Sequence, residues 1–408
     1  MKIPIRRSAL MDDESQAIGS LENRLIRMPA EMREMFEKDL GDFINLRTLK
    51  GNILSLRISR AYLDDVSSDA VVAYVTSNVF SRLSLNDLKE RALPEVAIME
   101  GMTLGCDPEL FLVSKHDGRI IHPTDMKFLR SGDVGSDGDM LEIRPIPSTD
   151  EWVVAANIWS CLRKARLMLD KVKKPDGKSV IMVSSSCYRG VTAGFHLHFG
   201  IPKELWGGNK AGTRRYAVKD LMAKVMDYYV GLTSIMPEGE QDAIRRSNLD
   251  IPYGKPGQWR QESVTFEYRV PGGYMLRHPI LTVGLLGLGA IVMEDVLSRV
   301  AACTDSFKDL SVLRTMKDIK EIYPNVPDVF ELYQAGTSIS TKPARAHLDK
   351  IVDDLKKMVG FEKRVKSINK MFQAIYAGTK FRPDIEGSWR LFYNEKQQRS
   401  VDVLSARK

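Results

Sequence analysis

The sequence predicts an α+β fold, a sheet of short strands in its middle part with helices around it and at both ends. Four segments carry the strand half of that prediction: GCDPELFL (Gly105 to Leu112), GDMLEIRP (Gly138 to Pro145), AGFHLHFG (Ala193 to Gly200) and TFEYRVPGG (Thr265 to Gly273). Each alternates polar and apolar residues at period two, the signature of a strand with one buried face. The flanking regions carry the helical half, with apolar residues returning at helical spacing behind proline or capping residues.

Taken in order, Met32, Met35, Phe36, Leu40 and Phe43 fall on one helical face after Pro29, and Ser84 with Asp87 resembles a capping box opening a further short helix. Residues 1–100 are therefore expected to form a helical extension, either an appended domain or an oligomerisation arm. Residues 101–300 hold the four strands. Within them Ser148 and Glu151 read as another capping box, opening a helix whose Trp152, Ala156 and Trp159 make one apolar stripe, explained by core packing. A short helix-to-strand step leads through Lys178 to Val183 into the third strand. The most apolar stretch, Pro279 to Met293, contains Gly284, Gly287 and Gly289 and reads as a buried helix packed closely on the sheet, too short for a membrane span. Residues 301–408 turn helical and charged again, broken by AGTSISTKPAR near Lys342, with a tail from Asn394 polar enough to fray or to pack on a partner. No internal repeat or low-complexity tract is visible.

The polar faces of the four strands are unusual. Phe195, Leu197 and Phe199 point one way and His196 and His198 the other, between Gly194 and Gly200, which leave room for a ligand or a close backbone. Phe266, Tyr268 and Val270 oppose Thr265, Glu267 and Arg269; Glu142 shares a face with Arg144, and Asp107 with Glu109. Any one such pair is explained by a surface ion pair. Four of them on one sheet make a set of carboxylates, imidazoles and guanidiniums suited to hard cations of the Mg²⁺ type and to phosphate oxygens. Between the third and fourth strands, Arg245, Arg246, Tyr253, Gly254, Gly257 and Arg260 form a second cluster in a turn-rich loop, where substrate contacts are commonly placed; a solvated basic patch explains Arg245 and Arg246 equally well.

Composition excludes several classes. At 408 residues and 43% hydrophobic content the chain has enough material for an ordinary core. No run of about 18 apolar residues occurs, and MKIPIRRSALMDDESQ places charges where a signal peptide needs an apolar core, so neither a membrane nor secretion is expected. No GxxxxGK[ST] or GxGxxG occurs, which disfavours P-loop and Rossmann enzymes. Cys106, Cys161, Cys187 and Cys303 are scattered without CxxC spacing, as in a reducing cytoplasm, and Cys106 should face the core and take no part in nucleophilic chemistry. The net charge of +7 is dispersed among acidic residues, which suits attraction to ATP or an acidic substrate and disfavours nucleic acid as a partner.

The ordered set GCDPE, DG…LEIRP, AGFHLHFG and R…YGKPGQWR…FEYRVP resembles the phage-type carboxylate–amine ligases (COOH-NH2 ligase type 2, the phiEco32-like amidoligases), which are similar in fold to glutamine synthetase and glutamate–cysteine ligase. The resemblance covers about residues 103–290 and implies a glutamine synthetase-like antiparallel sheet curled around a funnel-shaped active site. It further implies ATP and Mg²⁺ as cofactors, with Asp107, Glu109, Glu142 and Glu267 holding metal, His198 and Arg246 on the nucleotide side, Arg260 and Arg269 on the phosphates, and His196 in the catalytic set. One departure is Asp-Pro-Glu where glutamate–cysteine ligases carry Glu-x-Glu, so that Asp107 either ligates metal or orients the strand end.

The implied reaction is transfer of the ATP γ-phosphoryl group to a carboxylate, followed by attack of an amine on the acyl phosphate. Asp139 and His196 are both candidates for the base that deprotonates the amine. Substrates would be a small-molecule or peptide carboxylate and amine. Phage proteins and a second copy of the chain are further expected partners, and the host cytoplasm during infection, or the virion, is the expected location. The alternatives are a phage structural or virion-associated protein that keeps the fold without catalysis, and a guanidino-kinase-like phosphotransferase. Glu109, Glu142, His198, Glu267 and Arg269 favour the ligase, because an inactive scaffold has no need of like charges facing one another.

Overall fold

Six strands among the described residues between Lys2 and Met99 close into a barrel in the computed structural model of the chain, in place of the expected helical extension. The structure describes residues 2–7, 11, 25–36, 40, 42–47, 53–60, 73–83, 95–99, 101–172, 179–207, 213–239, 242, 245, 254–262, 264–304, 310, 321–324, 326, 327, 329, 333 and 342–393. The barrel strands are β1 (Lys2–Arg7), β2 (Leu25–Met28), β3 (Phe43–Arg47), β4 (Ile53–Arg60), β5 (Ala73–Val75) and β6 (Glu95–Met99), with short helices α1 (Ala30–Met35) and α2 (Ser77–Arg82). Ile5, Ile26, Met28, Ile44, Leu46, Leu54, Leu56, Ile58 and Val75 converge inside it. Closure explains the difference: among the described side chains, β1 to β5 each give the interior only one to three apolar residues, too few for a period to register, while pairing every edge stabilises the strands. Helical spacing after Pro29 holds for the six residues of α1 alone, and Phe43 belongs to β3. The Ser84–Asp87 capping box lies outside the described residues.

The barrel contains a repeat that the sequence does not show. Among the elements named, each half runs strand, strand, helix, strand, and exchanging the halves maps the parallel pair β1–β5 onto β4–β2 and the antiparallel pair β1–β6 onto β4–β3. Ile146 in its core joins the barrel to the second layer, as do Asn45 Nδ2 donating to Gly101 O at 3.1 Å and Arg82 donating to Asn157 Oδ1 at 2.9 Å.

This second layer is the expected antiparallel sheet, curled into a half-barrel. Its strands are β7 (Leu104–Ser114), β8 (Ile120–Ile121), β9 (Val134–Asp137), β10 (Met140–Ile143), β11 (Val180–Val183), β14 (Phe195–Gly200), β15 (Trp259–Glu262) and β16 (Thr265–Tyr268); β12 (Cys187–Tyr188) and β13 (Val191–Thr192) form a separate ribbon. The order is β15-β16-β14-β7-β10-β9, with β8 and β11 on the far half of β7. All four sequence segments thus contribute strands. Their apolar faces, including Leu104, Cys106, Leu197, Phe199, Phe266 and Tyr268, enter one core with α3 (Glu151–Lys171), α4 (Arg214–Met226), α5 (Leu232–Ile235), α6 (Pro279–Cys303), α7 (Lys342–Leu355) and α8 (Phe361–Tyr376).

Helix α6 is long and apolar enough to cross a membrane, with mean hydropathy 2.0, yet 83% of that stretch is buried inside the protein. Its glycines divide their work. A Cβ on Gly289 would stand 3.0 Å from Phe199 Cζ, so this one allows close packing on the sheet; Gly284 and Gly287 face Met371 and Ser367 of α8 instead. We expect Gly284→Ala, whose methyl would run into Met371, to lose roughly 1–2 kcal/mol in denaturant unfolding despite the better helix propensity of alanine. Gly287→Ala, 3.2 Å from Ser367 Cβ, should stay near neutral.

Helix α3 is capped by Asp150, not by a Ser148–Glu151 box: Asp150 Oδ1 accepts from Trp152 N at 2.8 Å, while Glu151 turns inward to Ser367 Oγ. Its tryptophan stripe is only half-buried and meets the helix over 385–393, where Trp159 stacks on Trp389 and Tyr393 at 6.4 and 5.9 Å and Trp152 on Phe392 at 6.5 Å.

Candidate active site

Strand register decides which polar side chains meet. Arg260 on β15 pairs with Glu267 on β16, Glu267 with His198 on β14, and His198 with Gly105 on β7. One step along, His196 pairs with Asp107; two residues beyond Asp107 on β7, Glu109 pairs with Glu142 on β10. Because side chains alternate across a strand, all of these lie on the face opposite the core.

The contacts follow from that grid. His198 Nε2 lies 3.1 Å from Asp107 Oδ2, and His196 Nδ1 sits between Asp107 Oδ1 at 3.4 Å and Glu267 Oε1 at 3.5 Å. Glu267, wholly buried, also takes Arg260 Nε on Oε2 and Arg269 Nε at 3.3 Å on Oε1. Burial alone would raise the Asp107 carboxyl, but His198 and His196 outweigh it and hold the group well below the usual carboxylate range. Burial likewise works against a charged His198, and Asp107 and Glu267 reverse that effect and raise it.

Among the described residues, donor atoms of Asp107, His198 and Glu267 all lie within 4.8 Å of one another. Asp107 Oδ1 and Glu267 Oε1 are shut away from solvent with no hydrogen bond, only the looser ion-pair contacts above. Two carboxylates and an imidazole fit a divalent cation such as Mg²⁺ or Mn²⁺. The expected metal set is thereby divided. Asp107 and Glu267 come together with His198, whereas Glu109 accepts from Gly194 N at 2.5 Å and Glu142 is engaged by Arg144.

The remaining expectations fare differently. Arg260 and Arg269 both reach the site through Glu267. Arg246 and Tyr253 lie outside the described residues. Arg245 is fully buried, donating to Val270 O at 3.0 Å and Arg269 O at 3.3 Å, so it holds backbone and is not part of a solvated patch. Asp139 is exposed in the turn between β9 and β10. Cys106 is buried on the core face, and burial, then Asp107, push its thiol well up, as its non-nucleophilic reading requires.

A sequence profile of the phage phiEco32-like COOH.NH2 ligase type 2 family matches residues 104–391. The chain belongs to this family. No curated protein sequence matches it. Among solved structures it is similar to a bifunctional glutathione synthetase from Pasteurella multocida (11% identity, TM-score 0.38, covering 73% of this chain and 49% of that one). It is also similar to the complex between the prokaryotic ubiquitin-like protein Pup and its ligase PafA (12%, 0.41, 74% and 69%) and to a novel glutamine synthase homolog (11%, 0.33, 68% and 66%). The chain thus spans about half the length of the first of these proteins. The matched segment begins at β7, leaving the barrel outside it, and ends within the helix over 385–393, well beyond the four strand motifs.

The structure also shows polar groups that the sequence did not single out in this ligase-family chain. Asp227, wholly buried in a π-turn between α4 and α5, accepts from Tyr268 Oη at 2.8 Å and Gly257 N at 2.6 Å, tying β16 to the loop that leads into Arg260. Asp242 accepts from Ser185 Oγ at 2.5 Å and Arg277 at 3.2 Å, and Glu238 from Ser186 Oγ at 2.6 Å, beside the Gly194–Gly272 bridge that ends β14.

Proposed function

We propose that this chain is an ATP- and Mg²⁺-dependent carboxylate–amine ligase that forms an amide bond by way of an acyl phosphate. Family membership supports amide-bond formation, and the observation that carries the finer reading is the row Arg260, Glu267, His198 beside Asp107, a cation-binding group with two guanidiniums at its edge. A cation held by Asp107, His198 and Glu267 would supply charge neutralisation for the transferring phosphoryl group. Arg260 and Arg269, splayed from the two oxygens of Glu267, are placed to orient phosphate oxygens and to neutralise charge as it develops. His196 fixes the orientation of Asp107 and Glu267, and of the two candidate bases it is the one within the site. We further propose that it works in the infected host's cytoplasm or in the virion, on a small-molecule or peptide carboxylate and amine, phage proteins among them.

The test is ATP- and Mg²⁺-dependent ADP release with a panel of carboxylic acids, hydroxylamine serving as the amine so that an activated acid is trapped as a hydroxamate. Hydroxamate formation by at least one acid is expected; nucleotide binding without turnover on any acid would favour a non-catalytic, structural role. Arg269→Lys should keep nucleotide affinity in calorimetry and lose about 10³-fold in turnover, because an ammonium cannot reproduce the guanidinium fork. Full activity in that variant would remove Arg269 from phosphoryl transfer.

A further inference from the structure

Beside the candidate cation group, barrel and sheet border a half-open cavity of about 190 Å³. Its walls are mostly carbon, from Phe43 of β3, Pro145 and Pro147, with Thr103 and Thr265 also on them. Asp107 and His198 line it too, so the cavity borders the cation group through two of its three residues. Arg144 also lines it, but its guanidinium is engaged by Glu142 and by Gly132 O at 3.2 Å. The space exists because the row Arg260, Glu267, His198 continues on β7 as Gly105, which has no side chain to fill it. Phe43 lines the cavity from a domain outside the matched ligase segment.

We infer that this cavity receives the acid substrate: a small carboxylate whose compact apolar group, about the size of a phenyl ring, lies against Phe43 while its carboxylate reaches the cation group. The inference rests on the ligase reading for the role of that carboxylate. An apolar cavity of about 150 Å³ holds a benzene ring, so the volume fits. Mostly carbon walls favour such a group over a nucleobase, most of whose ring nitrogens and amino groups would face carbon. Phe43 then sets specificity for the acid, and the barrel is a working wall of the site.

The probe is benzoate, with acetate as its ring-less control, titrated into the full chain in Mg²⁺ by ligand-observed NMR; a non-hydrolysable ATP analogue is titrated separately by calorimetry. Benzoate is expected to bind about tenfold or more tightly than acetate, from burial of the ring. Phe43→Trp, which fills the cavity, should abolish that advantage and leave the ATP analogue within about twofold of the parent. Gly105→Ala guards against misfolding of the first variant: its methyl would meet Pro147 Cβ at 3.5 Å and His198 Cβ at 3.6 Å, ordinary contacts, and should weaken benzoate from the opposite wall. Equal binding of benzoate and acetate, or benzoate binding indifferent to both substitutions, would overturn the inference. Loss of the ATP analogue in Phe43→Trp would overturn it differently, making the cavity a base pocket. Benzoate selectivity in a chain that binds no nucleotide would leave the cavity standing and remove the ligase reading.

Discussion

Glu267→Gln is expected to weaken Mg²⁺-dependent nucleotide binding by about 100-fold or more, with little change in unfolding, since loss of a ligand should cost at least what loss of an outer-shell partner does. The substitution keeps the volume of a wholly buried side chain and removes the one negative charge that His196, Arg260 and Arg269 share. Breaking a buried ion pair normally costs several kcal/mol, because the orphaned partner stays buried. Here the orphans have outlets: Arg260 is 49% exposed and retains Glu262 at 2.9 Å, and Arg269 is 23% exposed. The fold should therefore survive while the cation group loses one of its two carboxylates. Calorimetry with an ATP analogue, with and without Mg²⁺, decides it alongside a urea melt. Unchanged binding would take Glu267 out of the nucleotide site, and a collapsed melt would make it a pivot of folding instead.

The site was legible in the sequence where a strand advertised both of its faces. In FHLHFG and TFEY the apolar partners Phe195, Leu197, Phe199, Phe266 and Tyr268 fixed which way His196, His198 and Glu267 had to point, and register then brought them to Asp107. What the pattern could not supply was distance along the strands. Asp107 and Glu109 are co-facial, yet one joins the cation group and the other accepts from Gly194 N, because β14 sets His196 opposite Asp107, whereas the residue it brings beside Glu109 is Gly194, which has no side chain to extend the group. The barrel was illegible for a different reason. Strands as short as Ala73–Val75 acquire meaning only once closure gives every edge a partner, and no local period records closure. Arg245 misled because its partners are backbone carbonyls, which have no sequence signature. Phe43 read as the end of a helical stripe, and its place beside Asp107 depends on how two domains meet.

The second large effect concerns Asp227, whose carboxyl burial raises from 3.8 to about 7, against the opposing hydrogen bonds from Tyr268 and Gly257. The unfolded chain releases this proton near pH 4 and the native one near pH 7, so between those values the native state binds more protons and stability falls as pH rises. The contribution is fully present below the unfolded value and lost once pH passes about 7. A displacement of about three units corresponds to roughly 4 kcal/mol across that window. Asp227→Asn cannot titrate and offers one acceptor oxygen where the carboxylate offers two, so it should carry a constant penalty at Gly257 N or Tyr268 Oη together with a flatter pH profile. Urea midpoints of both chains from acid to neutral pH should thus converge or cross as pH rises, the variant gaining relative to the parent, and run parallel above about pH 7. Parallel profiles throughout would mean that the two hydrogen bonds keep Asp227 ionised in the fold. In that case the loop leading into Arg260 would be anchored by a permanent charge, and its grip on Gly257 would not change with pH.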